Sequence, residues 1–174
     1  MSKKPKPAGS VGTPATQLIA STGMPYTLHS YVHEPTTASY GLEAAESLGV
    51  DPRRVFKTLV VRATEGWLAI GVVPVDAMLN LKAIADALGT KRAEMAEPAA
   101  AVRATGYVVG GISPLAQKKA LPTVIDESAL AFDTVFVSAG RRGLEIELAP
   151  TQLIRLTGAT PAVIATPRPL SPSG

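Results

Sequence analysis

The chain has 174 residues, of which 46% are hydrophobic and 18% are charged, with a formal net charge of +3 at pH 7. This composition predicts a globular protein with one core and excludes a largely disordered chain. The chain contains no cysteine, which excludes disulfides, thiolate metal sites and a cysteine nucleophile. No apolar run is long enough to cross a membrane and no secretory signal is evident, so we expect a cytoplasmic protein.

Both ends of the chain are predicted to lie outside the folded body. Residues 1–12 are rich in proline, glycine and serine and carry several lysines, and residues 167–174 are rich in proline and serine. Such compositions favour a disordered leader and a disordered tail. The predicted domain therefore spans residues 13–166, and its own charge is close to neutral.

The first half of the chain alternates helical and extended patterns. Thr13 and Pro14 open an apolar-periodic segment that ends at Gly23, which predicts a helix with Thr13 as its N-cap. A strand is predicted over 26–31, a helix over 39–48, two strands of a hairpin over 55–63 and 67–73, and a helix that is capped by Asn80 and ends at Leu88.

The second half has the same mixed character around a glycine-containing centre. A short strand is predicted over 92–95, a short helix over 97–104, strands over 123–125, 134–137 and 143–148, and a last helix over 151–157. Because hairpins and helices are interleaved, we expect a single α+β domain. Its predicted form is a curved mixed β-sheet, or a partly closed barrel, with helices around it.

The segment 106–119 is predicted to be the functional centre. Tyr107–Val109 has the composition of a strand end, and Gly110–Gly111 allows a tight turn with a close approach of the backbone to a neighbour. Ser113 and Pro114 resemble the start of a helix. A strand, a turn and a helix start would present N–H groups to an anion or a nucleotide, but an ordinary strand-to-helix turn fits the pattern equally well.

Lys57 stands inside an otherwise apolar strand. Alternation places its side chain on the same face as those of Val55, Leu59 and Val61. Its ammonium group can reach water beyond the strand end. Alternatively, Lys57 lies at the mouth of a pocket, where it can hold a phosphate or a carboxylate.

Other polar residues allow both structural and functional interpretations. Ser138 ends a strand, where its hydroxyl can face a ligand, and Arg141 and Arg142 either contact a nucleic-acid backbone or form a solvated hairpin tip. Glu145 lies on one face of the next strand, as a pocket wall or on an outward surface. The two histidines of the chain do not form a zinc-binding pattern, and no metal or cofactor is predicted.

Taken together, several segments resemble the YbaK/EbsC family, within the superfamily of prolyl-tRNA-synthetase-associated editing domains. The similar segments are Phe56–Leu59, Gly106–Tyr107, Gly110–Pro114, Leu121–Thr123, Ser138 and Arg142–Leu148, together with Thr13–Ala15 and Tyr31–His33. They occur in the family's order and span roughly residues 13 to 160. The chain is most similar to the free-standing Cys-tRNA(Pro) deacylase branch.

The resemblance implies a trans-editing hydrolase that binds the acceptor end of tRNA(Pro) and works beside prolyl-tRNA synthetase. That synthetase cannot fully reject cysteine, because a pocket separates such similar side chains by only about 1–3 kcal/mol. In this family the cysteinyl thiol is thought to attack its own ester, so the protein needs no nucleophile, metal or cofactor. Orientation of the ester and N–H donors at the oxyanion would be the protein's contribution.

The resemblance also assigns roles to residues. Lys57 and Gly110 take the catalytic positions, and the loop Gly110–Pro114 holds the terminal adenosine and the ester. The pocket residues that it implies are Tyr31, Thr58, Gly111, Ile112, Ser113, Pro114, Ser138 and Glu145.

Two departures from the family pattern bear on the substrate. Glu145 stands where the family usually has aspartate, and Ala139 stands where it usually has glycine. A deacylase for another small amino acid, such as alanine on tRNA(Pro), and a non-catalytic module that binds tRNA or the synthetase are the alternatives.

Overall fold

The computed structural model describes residues 12–34 and 40–167. Its helices and strands are bounded as follows: α1 Pro14–Thr22, β1 Thr27–Ser30, α2 Tyr40–Leu48, β2 Phe56–Ala63, β3 Leu68–Pro74, β4 Ala77–Leu79, α3 Leu81–Leu88, β5 Ala93–Met95, α4 Pro98–Thr105, β6 Thr123–Asp126, β7 Val135–Ser138, β8 Leu144–Leu148, α5 Pro150–Thr157, β9 Thr160–Ala162 and β10 Ala165–Pro167. None of the helices in these ranges is long and apolar enough to span a bilayer.

Local capping signals fix the helix that opens the described chain. The Thr13 hydroxyl accepts a hydrogen bond from the Thr16 N–H at 3.0 Å, and the Thr16 hydroxyl accepts one from the Thr13 N–H at 2.8 Å. Gly23 ends α1 with φ of 72°. The Thr13 hydroxyl also donates to the Ala139 carbonyl, so this cap joins α1 to the turn after β7. The predicted helix and its N-cap are confirmed.

The described strands form three sheets. The largest has the order β5-β2-β3-β6-β9 and is mixed, a second has the order β1-β8-β7 and is antiparallel, and β10 pairs with β4. A parallel bridge between Val55 and Phe136 joins the two larger sheets. The α+β prediction is confirmed, but these strands are divided among several sheets and do not close into a barrel.

One edge of β2 changes its partner along its length. Strand β3 pairs with β2 from Phe56 to Arg62, whereas the opposite edge meets β7 only at Val55 and β5 only from Val61 to Ala63. Between these two pairings the edge faces a gap. A cavity lies in this gap.

Hydrogen bonding tells which backbone groups of β2 face that gap. The N–H of Val75 donates to the carbonyl of Val55 at 2.8 Å, and the N–H of Ala63 donates to the carbonyl of Trp67 at 2.9 Å, so odd-numbered residues of β2 turn their backbone groups towards β3. Because the direction alternates along a strand, the N–H and C=O of Thr58 point towards the gap.

The main core lies between the two larger sheets. Phe56 and Val60 of β2 contribute to it from one sheet, and Val137 and Ile146 contribute from the other. A second cluster packs the opposite face of the five-stranded sheet against α3, through Val61, Val73 and Ile84 among others. A third cluster packs Ala44 and Ala45 of α2 on Phe136. This third cluster brings the start of α2 to the gap beside β2.

The centre of the chain differs from the prediction. Residues 106–122 contain neither a strand at 107–109 nor a helix from Ser113. The hydroxyl of Tyr107 donates to the Leu115 carbonyl at 2.7 Å, and the Leu115 N–H donates to the Ser113 hydroxyl at 3.2 Å. These bonds satisfy the segment as a folded loop, so the helix-dipole site predicted at Ser113 was wrong.

Three short strands escaped prediction. β4, β9 and β10 each have three residues, and two of them contain proline, so their periodicity is too brief to detect. β10 extends to Pro167, the first residue of the predicted tail. Residues 1–11 of the predicted leader, residues 168–174 of the predicted tail and the loop at Pro35 lie outside the described residues.

Candidate active site

A cavity of about 380 Å³ occupies the gap beside β2. Its polar wall is formed by side chains from four parts of the chain, and its opposite wall is apolar. The polar lining residues are Tyr40, Lys57, Thr58, Ser138 and Glu145, and the apolar ones include Val109, Ile112, Met95, Pro98 and Ala101. This size falls in the usual range for pockets that bind small molecules.

Strand register brings the polar residues together. Lys57 and Ser138 each lie two residues beyond the Val55–Phe136 bridge, on strands that run in the same direction. Ser138 is in turn the register partner of Glu145 in β8. Neighbours in register project to the same side of a sheet, so Ser138 and Glu145 face the cavity together.

Lys57 lies in the cavity lining and is half-buried. Leu59 and Val61, which share its face of β2, pack into the second core cluster. The shared face predicted from the alternation is therefore present. Lys57 thus lies in a cavity lining, and its role in holding a phosphate or a carboxylate stays a prediction.

Glu145 is a buried carboxyl group. Its residue is 7% exposed, and its Oε2 atom has no hydrogen-bond partner among the described residues. Burial raises the pKa of Glu145 to about 8, because a charged carboxylate loses its hydration there. At neutral pH the cavity therefore holds a carboxylic acid that is largely protonated.

Thr58 is a second buried polar residue of the cavity. It is 8% exposed, and its Oγ1 atom is also without a hydrogen-bond partner among the residues described. Most buried polar atoms in proteins are paired. Two unpaired oxygens in one cavity therefore mark a place where a bound molecule can supply the missing hydrogen bonds.

The glycine loop packs too closely for any side chain. Gly110 has φ of +86°, and a Cβ there would lie 2.8 Å from ring atoms of Tyr40 and 2.9 Å from Nε of Arg142. A Cβ on Gly111 would lie 2.8 Å from Cα of Arg141. Gly110 lines the cavity, and Gly111 is buried behind it.

Arg142 holds this loop. Its Nε and Nη2 donate to the Val109 carbonyl at 3.0 and 2.7 Å, and its guanidinium carbon lies 4.7 Å from the centre of the Tyr40 ring. Arg141 is half-buried, and its backbone packs on Gly111. A contact of either arginine with the tRNA backbone stays a prediction.

Half of the predicted site residues line the cavity, and half do not. Lys57, Thr58, Gly110, Ile112, Ser138 and Glu145 line it. Gly111, Arg141 and Arg142 lie behind the loop, and Ser113 and Pro114 are buried next to Leu115. Tyr31 also stands back from the cavity.

The position of Tyr31 is fixed by its backbone, since its N–H donates to the Gly143 carbonyl at 2.9 Å. Burial, with a contribution from the negative charge of Glu145, raises the pKa of Tyr31 to about 12. Its phenol is therefore neutral at physiological pH.

Sequence reasoning missed the apolar wall and Tyr40. Met95, Pro98 and Ala101 reach the cavity because β5 pairs with the far end of β2 and α4 follows at once. Tyr40 arrives through the packing of α2. Neither the residue types nor their spacing mark a pocket, so no signal in the sequence could have found them.

Both histidines are paired with carboxylates outside the cavity. His29 Nε2 lies 2.9 Å from Glu147 Oε1, and His33 Nδ1 lies 2.8 Å from Glu43 Oε1. Within residues 12–34 and 40–167, no three His, Cys, Asp or Glu side chains gather in a way that could hold a metal ion.

Comparison with known proteins matches residues 34–156 to the aminoacyl-tRNA editing domain. The chain belongs to this family. A member of similar length, EbsC of Enterococcus faecalis, is 36% identical over 154 residues, which cover 88% of this chain and 93% of EbsC. EbsC is named as a candidate Cys-tRNA(Pro)/Cys-tRNA(Cys) deacylase. The resemblance to the YbaK/EbsC family is confirmed.

Two further relatives connect this editing domain with prolyl-tRNA synthetase. A proline–tRNA ligase of Acidithiobacillus ferrooxidans is 34% identical over 88 residues, which cover 51% of this chain and 15% of the ligase. A solved structure described as a candidate trans-editing enzyme for prolyl-tRNA synthetase has a TM-score of 0.75 at 24% identity, over 90% of this chain and 99% of that one. The second match shows a shared fold.

Proposed function

We propose that this chain, through its body at residues 13–166, is a trans-editing deacylase that cleaves the ester of mischarged Cys-tRNA(Pro). This substrate is one of the two in the name of EbsC. The observation that carries the proposal is the cavity beside β2, with Lys57 at one wall, the glycine loop at another and Glu145 at its base. We propose that it receives the aminoacyl ester and the terminal adenosine of the acceptor end.

The reaction that we propose uses the substrate's own thiol. The cysteinyl sulfur attacks the ester carbonyl carbon, the bond from that carbon to the ribose oxygen breaks, and the thiol proton passes to that oxygen. Free tRNA and a cyclic thioester are the products. Among the described lining residues there is no histidine or cysteine, which supports a route without a protein nucleophile.

The roles proposed for the protein are binding and orientation. The Lys57 ammonium binds a phosphate of the acceptor end, and the Gly110 N–H donates to the oxygen that becomes negative. The Gly111 N–H already donates to the Val108 carbonyl at 2.9 Å, so it shapes the loop. Donors of this kind, held in a fixed place, are among the strongest contributions to ester cleavage.

A second candidate function is deacylation of Ala-tRNA(Pro). Alanine has no thiol, so a water molecule would have to attack. Glu145 favours this candidate, because a pKa of about 8 makes its carboxylate form a stronger base than an ordinary carboxylate, and the fraction ionised near neutral pH can accept a proton from water.

The test compares Cys-tRNA(Pro), Ala-tRNA(Pro) and Pro-tRNA(Pro) with the purified protein. We expect rapid loss of the cysteinyl ester alone, and a loss of activity of at least about 100-fold in Lys57→Ala, as for removal of a group that stabilises the transition state. Lys82→Ala, on the exposed face of α3, is the matched control and keeps activity. Loss of the alanyl ester would select the second candidate.

If no ester is cleaved but tRNA still binds, the chain is a binding module and the proposal is wrong. A separate pull-down with prolyl-tRNA synthetase tests the partnership, which we also propose. Retention of the synthetase on the immobilised protein, increased by tRNA(Pro), is the expected result.

A further inference from the structure

Two buried oxygens in the cavity have no hydrogen-bond partner among residues 12–34 and 40–167. They are Oγ1 of Thr58 and Oε2 of Glu145, and both residues are more than nine-tenths buried. Their lack of a partner is costly unless something supplies hydrogen-bond partners. A bound ligand is the natural source, because both residues line the cavity that the ligand would enter.

The two oxygens come from different walls. Thr58 is on β2, and Glu145 is on β8 beyond Ser138, its register partner. A single ligand atom that donates to both oxygens must carry at least two hydrogen-bond donors. A hydroxyl has one donor, whereas an amine or an ammonium has two or three.

The charge of the Glu145 carboxylate also favours an amine or an ammonium as the ligand group. The titratable groups around Glu145 are Tyr31 after β1, Tyr40 at the start of α2, Lys57 on β2, and His29, its register partner in β1, which is bonded to Glu147 instead. Burial alone accounts for the raised pKa of Glu145. A cationic ligand group stabilises its carboxylate, whereas an anionic group would repel it.

We propose that Thr58 and Glu145 form the subsite for the free α-amino group of the bound aminoacyl ester. This deepens the proposed function and rests on it. The proton of the Glu145 carboxyl passes to the nitrogen of a neutral amine, which leaves a carboxylate beside an ammonium with no other reagent. Esters without a free amine, such as N-acylated aminoacyl-tRNA and peptidyl-tRNA, leave both oxygens unsatisfied and are rejected.

The test uses stable amides of 3′-amino-3′-deoxyadenosine in matched pairs. One pair carries cysteine or 3-mercaptopropionic acid, and the other carries alanine or propionic acid, so members of a pair differ only in the amino group. We expect the amine member of at least one pair to bind the parent protein at least about tenfold more tightly. Cleavage of N-acetyl-Cys-tRNA(Pro) should be slower than that of Cys-tRNA(Pro) by a similar factor.

Two variants locate the effect. Glu145→Gln removes the charge and Thr58→Val removes the hydroxyl at nearly constant volume, and each should reduce the affinity ratio within a pair. Glu147→Gln is the control, because Glu147 lies two residues along β8 and bonds to His29 and Thr134, outside the cavity lining. It should leave the ratio unchanged.

The outcomes separate this inference from the proposed function. Equal binding within both pairs, in a protein that deacylates Cys-tRNA(Pro), overturns the amine subsite and leaves the deacylase standing. An unchanged ratio in both Glu145→Gln and Thr58→Val also overturns it. Failure to bind any of the four amides, together with failure to cleave any ester, overturns both.

Discussion

Glu145 and Glu147 lie two residues apart on one face of β8, and their carboxyl groups are shifted in opposite directions. Glu147 accepts from the Thr134 hydroxyl at 2.6 Å and pairs with His29, and the Thr134 hydrogen bond is the main cause that lowers its pKa. Oε2 of Glu145 has no donor within the part of the chain that the structure describes, and burial raises the pKa of Glu145 to about 8. The position of a carboxyl group in the alternating pattern of a strand therefore does not decide its charge. The charge depends on the groups that the fold places around it.

The first prediction concerns stability and pH. The pKa of Glu145 rises from 4.5 in the unfolded chain to about 8 in the fold, so the folded protein binds the proton more tightly and loses stability as pH rises through that window. Relative to Glu145→Gln, the free energy of unfolding of the parent should fall by a few kcal/mol between pH 5 and pH 9. Urea denaturation followed by circular dichroism measures it.

Glu147→Gln is the control for this prediction and should show the opposite sign. The pKa of Glu147 is lowered in the fold, so its contribution is present above its unfolded pKa and is lost as pH falls through its folded pKa. The parent should therefore lose its advantage over this variant in acid. A difference between the parent and Glu145→Gln that does not change with pH would contradict the buried, protonated carboxyl.

The second prediction concerns Gly110. In Gly110→Ala the methyl group meets the Tyr40 ring at 2.8 Å, in addition to the strain of a positive φ. Gly66→Ala in the turn between β2 and β3 has the same kind of φ strain, at +99°, but no atom within 4 Å of its Cβ. We expect Gly66→Ala to cost about 1–2 kcal/mol and Gly110→Ala to cost more. Deacylation should be impaired only in Gly110→Ala, and equal effects of the two variants would exclude the close approach.

The third prediction separates two roles of Arg142. If it acts by holding Val109 and Tyr40, Arg142→Lys keeps the charge but loses the two-atom contact with the Val109 carbonyl. We therefore expect Arg142→Lys to impair deacylation nearly as much as Arg142→Ala, with faster hydrogen exchange around residues 107–112. A fully active Arg142→Lys with an unchanged dependence on salt would favour a charge contact with tRNA instead.

The fourth prediction concerns the cap of α1. Thr13→Ala removes the hydroxyl that caps the helix and donates to the Ala139 carbonyl, and we expect a loss of about 1–2 kcal/mol of stability. In Thr22→Ala, two bonds near the end of the helix are lost, one donated to the Ile19 carbonyl and one accepted from the Met24 N–H, and neither joins α1 to another element. Thermal denaturation of both variants should show the larger decrease in Tm for Thr13→Ala, and the reverse order would contradict the cap.

Helix ends were predictable because their signals are local. Asn80 accepts from the Ala83 N–H at 3.0 Å and Gly89 ends α3 with φ of 74°, as the sequence indicates. Tyr107 and Ser113 misled because their side chains bond to Leu115 within the same segment, which residue types alone do not reveal. The Tyr107 hydroxyl donates to the Leu115 carbonyl, and the Ser113 hydroxyl accepts from the Leu115 N–H. The segment therefore forms a loop in place of the expected strand and helix start.

The candidate site was predictable only in part. Lys57 and Glu145 were selected through the family resemblance, and the fold places both in one cavity. The sequence could not distinguish Glu145 from Glu147, since both occupy the same alternating pattern. Met95 and Ala101 reach the cavity through the pairing of β5 with β2, which no pattern near them predicts.

The partner change along β2 has a consequence for how this protein can diversify. The width of the cavity is the distance between two main-chain pairings, with β7 at Val55 and with β5 at Val61. Side chains around the cavity can therefore be substituted, which would alter its selectivity, while the width of the cavity stays constant. Conversely, a two-residue shift of β5 along β2 would resize the opening while the same face of β5 still borders it.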